Sequence, residues 1–295
     1  MKRLIINADD FGLTAGVNRA VLELARAGVL TSATLMAKAS DTAEAAEAAL
    51  RRPNLAVGCH VVLVDGTPVS APDAIPTLID PGSSRENPRF RSTLNAFISD
   101  LLRGRIREAD IETEAVAQIR RLQQLDIAVS HVDTHKHTHA FPRVLRPLLR
   151  AAVLRHVACI RNPFEPEWSV AATGSASLLR RLQVRALQTQ RRYFLAAAEH
   201  IGVFTTGGSI GVLATGTLDS STLRRLLAAM PEGTWELVCH PGYADDALRA
   251  AGTRLLVSRE VERQALLDTV PEAARDNVAL IHYGNLKATS FLGVM

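Results

Sequence analysis

Four of the chain's nine histidines fall in the run His131-Val-Asp-Thr-His-Lys-His-Thr-His139. Imidazole is the commonest neutral metal ligand among side chains and titrates near neutrality. Such a density, at the end of the apolar run 127–129, points to a site rather than to packing. Asn7-Ala-Asp-Asp10, Gly58-Cys-His60, Ile160-Arg161 and Val238-Cys-His-Pro241 likewise put polar residues at the end of an apolar run. One aspartate and two histidines from separate strands can make a facial metal site with open positions for water and substrate. Asp10, His60 and His135 are the candidates. Asp9, a second carboxylate beside them, is suited to accept a water proton, and His240 to give a proton to a leaving amine. Arg161 is a partner that would orient Asp9. Together these residues describe metal-dependent hydrolysis of an amide. Two imidazoles and one carboxylate suit one Zn2+ or another transition ion, while Mg2+ prefers oxygen; both ions stay open.

The elements that must position these residues alternate. Strands are expected at 4–8, 32–37, 55–63, 127–133, 157–161, 234–240 and 278–283. Helices are expected at 14–27, capped by Thr14 and stopped by Gly28, and at 41–52, 90–102, 108–125, 142–154, 219–230 and 258–270, with a long helical region over 174–200. Repeated βα units with apolar strands predict a parallel sheet under helices, and about seven of them predict an α/β, distorted (β/α) TIM-like barrel. Asp9, Asp10, His60, His135, Arg161 and His240 all lie at C-terminal strand ends, which converge on one face of a barrel. An open doubly wound sheet would spread them along an edge. The Pro-, Gly- and Ser-rich stretch 65–88 is long enough to predict a functional loop or a lid. No linker or repeat divides residues 1–295, so one domain is expected.

Composition narrows the class. With 47% apolar and 22% charged residues the chain reads as globular, and its net charge is +4. Dispersed arginines and 4% aromatics argue against a nucleic-acid stacking surface. Three cysteines, Cys59, Cys159 and Cys239, are too few and too odd for a disulfide framework. They read as small core residues, with Cys59 and Cys239 facing away from the histidines that follow them. The start of the chain reads as a strand rather than a signal peptide, and no apolar run spans a bilayer. A cytoplasmic protein is the default, with a homodimer the default assembly.

The motifs Asn7-Ala-Asp-Asp-Phe-Gly-Leu13, Gly58-Cys-His60, His131 to Pro142 and Cys239-His-Pro241 resemble, in order, those of the YdjC-like carbohydrate deacetylases. The similarity runs from residue 4 to about 285. It implies a distorted barrel, a divalent metal, and removal of an N-acetyl group from an amino sugar. It also implies Asp10, His60 and His135 as ligands, Asp9 as base and His240 as acid. Lys136 stands where many relatives carry another histidine. The runs 137–145 and 205–213 resemble the branch associated with hopanoid biosynthesis, which implies an N-acetylglucosaminyl hopanoid glycolipid as substrate.

Competing readings are concrete. Asp133, His137 and His139 are candidates to hold a ligand from behind or to touch substrate; His131 reads as a strand residue hydrogen-bonded under the site. Between residues 178 and 193 Leu178, Leu179, Leu182, Ala186 and Tyr193 fall on one helical side, and Arg180, Arg181, Arg185, Arg191 and Arg192 on the other. That pattern fits an outer helix with a solvated basic face, or a helix that rests peripherally on a membrane and admits a glycolipid. Three functions rival the lipid deacetylase. They are a deacetylase of soluble chito-oligosaccharides, a two-metal phosphoesterase, and a non-catalytic glycan- or lipid-binding protein.

Overall fold

Residues Lys2–Phe11 form strand β1, buried from Leu4 onward. Its two faces go to different places. Leu4, Ile6 and Ala8 join the large core under the helices, whereas Ile5 packs with Cys159, Tyr283 and Leu286. Apolar side chains on both faces are what a parallel strand covered by helices requires. The computed structural model describes residues 1–174, 178–275 and 277–286, and of residues 178 and 179 the backbone alone.

After β1 come α1 (Ala15–Arg26), β2 (Ser32–Met36), α2 (Thr42–Leu50), β3 (Ala56–Val61), α3 (Leu94–Leu102), α4 (Glu108–Gln123), β4 (Val132–Thr134) and α5 (Pro142–Leu154). The chain continues through α6 (Glu167–Thr173), α7 (Leu178–Leu187), α8 (Arg191–Ile201), β5 (Ser209–Ile210), α9 (Ser220–Ala229), β6 (Gly233–Cys239), α10 (Asp246–Ala250), α11 (Val257–Arg275) and β7 (Val278–Leu280). All named strands pair in parallel, in the order β4-β3-β2-β1-β6-β5, with β7 beside Lys2, Arg3 and Leu4 of β1. Single bridges carry the ladder past β4, from Val132 to Ile160 and from Cys159 to Phe204. Gly207 N then donates to Thr234 O of β6 at 2.8 Å. The sheet thus curls into the distorted barrel that the repeated βα units predict.

Several elements are shorter than their patterns suggest. Expected strand 157–161 is reduced to those bridges. Expected strand 127–133 shrinks to β4, because Asp126 turns through φ 61° and 127–131 meets β3 through Ser130 N to Val57 O and Cys59 N to His131 O. The helix expected from 90 begins at Leu94, N-capped by the Thr93 hydroxyl, while Phe90 bridges back to Ile79. The region 174–200 is broken: Gly174 ends α6 at φ 72°, and a 3₁₀ turn at Gln188–Gln190 separates α7 from α8. Residues 175–177, and the side chains of Leu178 and Leu179, lie outside the described residues. Thr14, by contrast, caps α1 by accepting from Val17 N.

The 65–88 segment is a loop, and α4 grips it. Glu114 accepts Val69 N at 2.8 Å and Ser70 N at 2.9 Å, and Asp110 accepts Thr77 N at 2.8 Å. Its own Ile75 and Leu78 are fully buried. All three cysteines are buried and unbridged. Cys59 and Cys239 sit under the helices, while Cys159 lies inside the barrel. Among the described residues no helix is long and apolar enough to cross a membrane.

Candidate active site

Consecutive residues of a regular strand face opposite ways, yet both Asp9 and Asp10 reach the same cavity. A β-bulge makes this possible. Ala8 pairs with Ala33 and Phe11 with Leu35, so β1 carries one residue more than β2 across this step. Asp10 takes φ 62° there, a left-handed conformation that Asp tolerates better than most residues.

Three donor atoms meet in front of the bulge. His60 Nε2 is 3.2 Å from His135 Nδ1 and 3.5 Å from Asp10 Oδ1, and His135 Nδ1 is 3.4 Å from Asp10 Oδ1. A triangle of these edges has its centre about 2 Å from each corner, close to the bond length of Zn2+ to nitrogen and oxygen. Asp10, His60 and His135 therefore fit a divalent cation. Behind His60, Asp133 Oδ1 lies 2.8 Å from Nδ1. This contact fixes the tautomer and leaves Nε2 as a lone-pair donor. Burial pulls the His60 pKa down, but the Asp133 charge and hydrogen bond outweigh it and bring the metal-free ring to about 9. On the far side of the triangle Arg259, fully buried on α11, donates to Asp10 Oδ2 at 2.6 Å. Burial would raise the Asp10 pKa, yet the Arg259 charge holds it well below the carboxylate range.

Asp9 is gripped from below. Arg161, with no exposed surface, donates through Nη1 to Oδ2 at 2.8 Å and through Nη2 to Oδ1 at 2.6 Å. Asn7 Nδ2 and Thr34 Oγ1 also donate to Oδ1, at 3.0 and 3.2 Å. Against the upward push of burial, Arg161 keeps Asp9 well below the ordinary range, so it is ionised. The same guanidinium contacts Asp133 and reaches Glu236 through Nε at 2.8 Å. Glu236 is pushed up by burial and bonds the Tyr283 hydroxyl. His131 stacks on Tyr283 at 3.7 Å and bonds Asn7 Oδ1 at 3.1 Å. Its ring lies where a side chain on Gly58 would be, within 2.5–2.7 Å of a Cβ there. Asp9, His60 and Asp133 also cluster. The guanidinium of Arg161 already bonds both carboxylates of that cluster, which leaves no second cation site among them.

His240 lies beside Asp9, Nε2 to Oδ2 at 3.8 Å, and its backbone N–H donates to the buried Glu262 at 2.6 Å. The 3₁₀ turn His135–Ala140 carries two left-handed residues, Lys136 at φ 57° and His137 at φ 52°. Each such residue costs roughly 1–2 kcal/mol. His139 pays the turn back by bonding Thr134 Oγ1 at 2.7 Å and Arg161 O at 3.2 Å. It is fully buried, so it supports the turn from behind. Lys136 reaches Asp65 at 2.7 Å and ties the turn to the 65–88 loop. His137 lines the cavity, and its Nδ1 has no hydrogen-bond partner among the described residues. Burial pushes its pKa down to about 3, so the ring is neutral.

These groups floor a cavity of about 780 Å³. Leu13, Met36 and Val212 supply apolar wall, and α7 closes one side with Arg180, Val184 and Leu187. Helix α7 is therefore not simply an outer helix with a solvated basic face; Arg180 donates to Thr215 O at 3.0 Å and Val212 O at 3.2 Å. The structure brings together Asp9, Asp10, His60, Asp133, His135, His137, Arg161 and His240, with His139 behind. The sequence reading missed Arg259, Glu262 and Glu236. The available signal was a charge at an apolar position: Arg259 and Glu262 share the buried side of α11 with Leu266 and Val270, and Glu236 sits mid-strand.

Residues 3–275 match the family model described as YdjC-like protein. The chain is 31% identical over 282 residues to a carbohydrate deacetylase of Geobacillus stearothermophilus, covering 95% of this chain and 96% of that protein. It is 29% identical over 289 residues to a carbohydrate deacetylase of Thermoanaerobacter pseudethanolicus, covering 97% and 100%. Among solved structures, an Enterococcus faecalis protein described as acting in cellobiose-phosphate cleavage superposes with a TM-score of 0.75 at 24% identity, covering 97% of this chain and 98% of that one. That likeness shows the fold. The chain belongs to the YdjC-like family.

Proposed function

We propose that this YdjC-like chain is a metal-dependent hydrolase that removes the N-acetyl group from an amino sugar. The observation that carries the reading is the convergence of Asp10, His60 and His135 with Asp9 and His240 in one cavity, in a chain whose relatives carry the name carbohydrate deacetylase. Asp10, His60 and His135 would hold a divalent cation, which would supply Lewis acidity and lower the pKa of water there. Asp9 takes the proton from the attacking water. Its low proton affinity, imposed by Arg161, makes it a transient carrier, and His240 at 3.8 Å is the adjacent group to receive that proton. His240 then protonates the amine nitrogen as the C–N bond breaks, and acetate and the free amino sugar leave. The two imidazoles favour Zn2+ over Mg2+.

The finer reading is an N-acetylglucosaminyl hopanoid. Its supports are the resemblance of 137–145 and 205–213 to that branch and the apolar wall that includes Leu13, Met36, Val184 and Leu187. This reading adds peripheral membrane contact through α7, where Leu182 is exposed. Acetate release from the glycolipid and from chitobiose, by wild type and His135→Ala, tests both levels. Release from the glycolipid alone, lost in the variant, supports the whole reading. Release from chitobiose alone keeps the deacetylase and discards the lipid. No acetate from either, with metal bound, refutes it.

A further inference from the structure

We propose that His137 is the specificity-determining residue of this cavity, its imidazole hydrogen-bonding a ring hydroxyl of the bound amino sugar. The inference rests on the amino-sugar reading above and names the contact that would select a sugar over a plain acetamide.

The other imidazoles and the lysine of the turn His135–Ala140 have partners. His135 completes the donor triangle, Lys136 binds Asp65, and His139 is bonded through both ring nitrogens. His137 lines the cavity, and it alone among these four has a ring that no described residue hydrogen-bonds, its Nδ1 lying buried without a partner. A buried polar atom without a partner costs free energy unless a ligand completes it. The chain also holds His137 at φ 52° and ψ 33°, off the ordinary backbone regions, and left-handed residues of this kind cluster at ligand-binding positions.

The chemistry of the missing partner follows from what the other groups take. On the amino-sugar reading, Asp10, His60 and His135 serve the acetyl oxygen and His240 serves the nitrogen. The polar groups that remain on an N-acetylated sugar are its hydroxyls. An imidazole with one N–H and one lone pair matches a hydroxyl, which both donates and accepts. The hydroxyl beside the acetamido-bearing carbon is the nearest to the reacting amide.

The test is a cycle over enzyme and substrate. Wild type, His137→Phe and His137→Asn are assayed by acetate release on chitobiose and on an analogue lacking that hydroxyl; metal content is measured on each protein. The expected result is a loss of about tenfold to a hundredfold in kcat/KM for His137→Phe on chitobiose, the size of one buried hydrogen bond. Wild type loses a similar factor on the deoxy analogue, His137→Phe does not distinguish the two substrates, and His137→Asn recovers part of the selectivity. Metal content stays at the wild-type level. The inference is overturned if His137→Phe still discriminates against the deoxy analogue as wild type does, because the two losses are then independent. It is also overturned if His137→Phe loses metal while keeping that discrimination. The cycle is run on whichever of chitobiose and the glycolipid wild type deacetylates; if it releases acetate from neither, the deacetylase reading falls by itself, and calorimetric binding of chitobiose decides the inference. Weaker binding by His137→Phe supports it; equal binding, or none by wild type, overturns it.

Discussion

Asp133→Asn separates the two duties of the carboxylate behind His60. Asp133 Oδ1 is 2.8 Å from His60 Nδ1, while Oδ2 takes the Arg161 guanidinium. An asparagine amide serves one side only. With its oxygen toward His60, its NH2 meets the donor on Arg161. Flipped, its NH2 meets Nδ1, and the tautomer that puts Nε2–H into the donor triangle is favoured. Loss of such a supporting carboxylate costs 10- to 100-fold in metal affinity, about 1.4–2.7 kcal/mol. The pH dependence supplies a sharper check. In wild type the metal-free His60 keeps its proton to about pH 9, so below that pH a cation must displace a proton and affinity climbs about tenfold per pH unit. In the variant the His60 pKa falls back toward the unperturbed value of about 6.5, and affinity is flat above it. Near pH 7 the weaker ligand and the easier deprotonation largely offset each other. The deficit opens as the pH rises from 7 toward 9 and is full above 9. Zn2+ dissociation constants by competition with a chromophoric chelator at pH 7 and 9.5 test this. A variant-to-wild-type ratio that does not change with pH, or no deficit at pH 9.5, would refute the reasoning.

The same His60 shift has a stability consequence. A raised folded-state pKa stabilises the metal-free protein fully below about pH 6.5 and loses that contribution, on the order of 3 kcal/mol, as pH rises through about 9; urea unfolding in chelator across that window should show the decline, and saturating metal should flatten it. Asp9→Asn should retain metal within a few-fold, because Asp10, His60 and His135 are untouched, yet lower acetate release by at least ~100-fold; parallel metal analysis and kinetics decide it. Gly58→Ala pushes a Cβ to 2.5–2.7 Å from the His131 ring, which Tyr283 blocks from behind. The expected loss is about 1–3 kcal/mol by denaturant titration, and a neutral outcome would mean that His131 can move. Glu114→Ala unpins Val69 and Ser70 and should speed proteolytic cleavage within 65–80, leaving metal affinity unchanged within about twofold.

The polar residues at strand ends were legible because a barrel sends all C-terminal ends to one face, and a histidine or carboxylate after an apolar run is conspicuous. Arg161 on Asp9 could be anticipated from charge alone. Its second and third carboxylates could not, since Asp133 and Glu236 are brought to it by barrel closure. Strand 157–161 was over-read: Val157 and Ile160 join the core under the helices and Cys159 packs inside the barrel, so the run is as apolar as a strand, but it pairs with its neighbours only through single bridges. The 65–88 loop shows the converse. Its Pro- and Gly-rich composition hides an ordered path, because its anchors, Glu114 and Asp110, are carboxylates on a helix more than thirty residues away.

The extra residue in β1 makes the chemistry depend on count as well as on identity. With regular pairing, a strand can offer the cavity only every other side chain, and an Asp-Asp pair would be half wasted. Removing any one residue between Ala8 and Phe11 would restore even pairing with β2, keep the barrel's apolar pattern below it, and leave one carboxylate for two jobs. On the proposed reaction, a chain altered in that way would keep either the carboxylate of the donor triangle or the base, and not both. Insertions and deletions at this step therefore act as a switch on function that point substitutions elsewhere in the strand do not imitate.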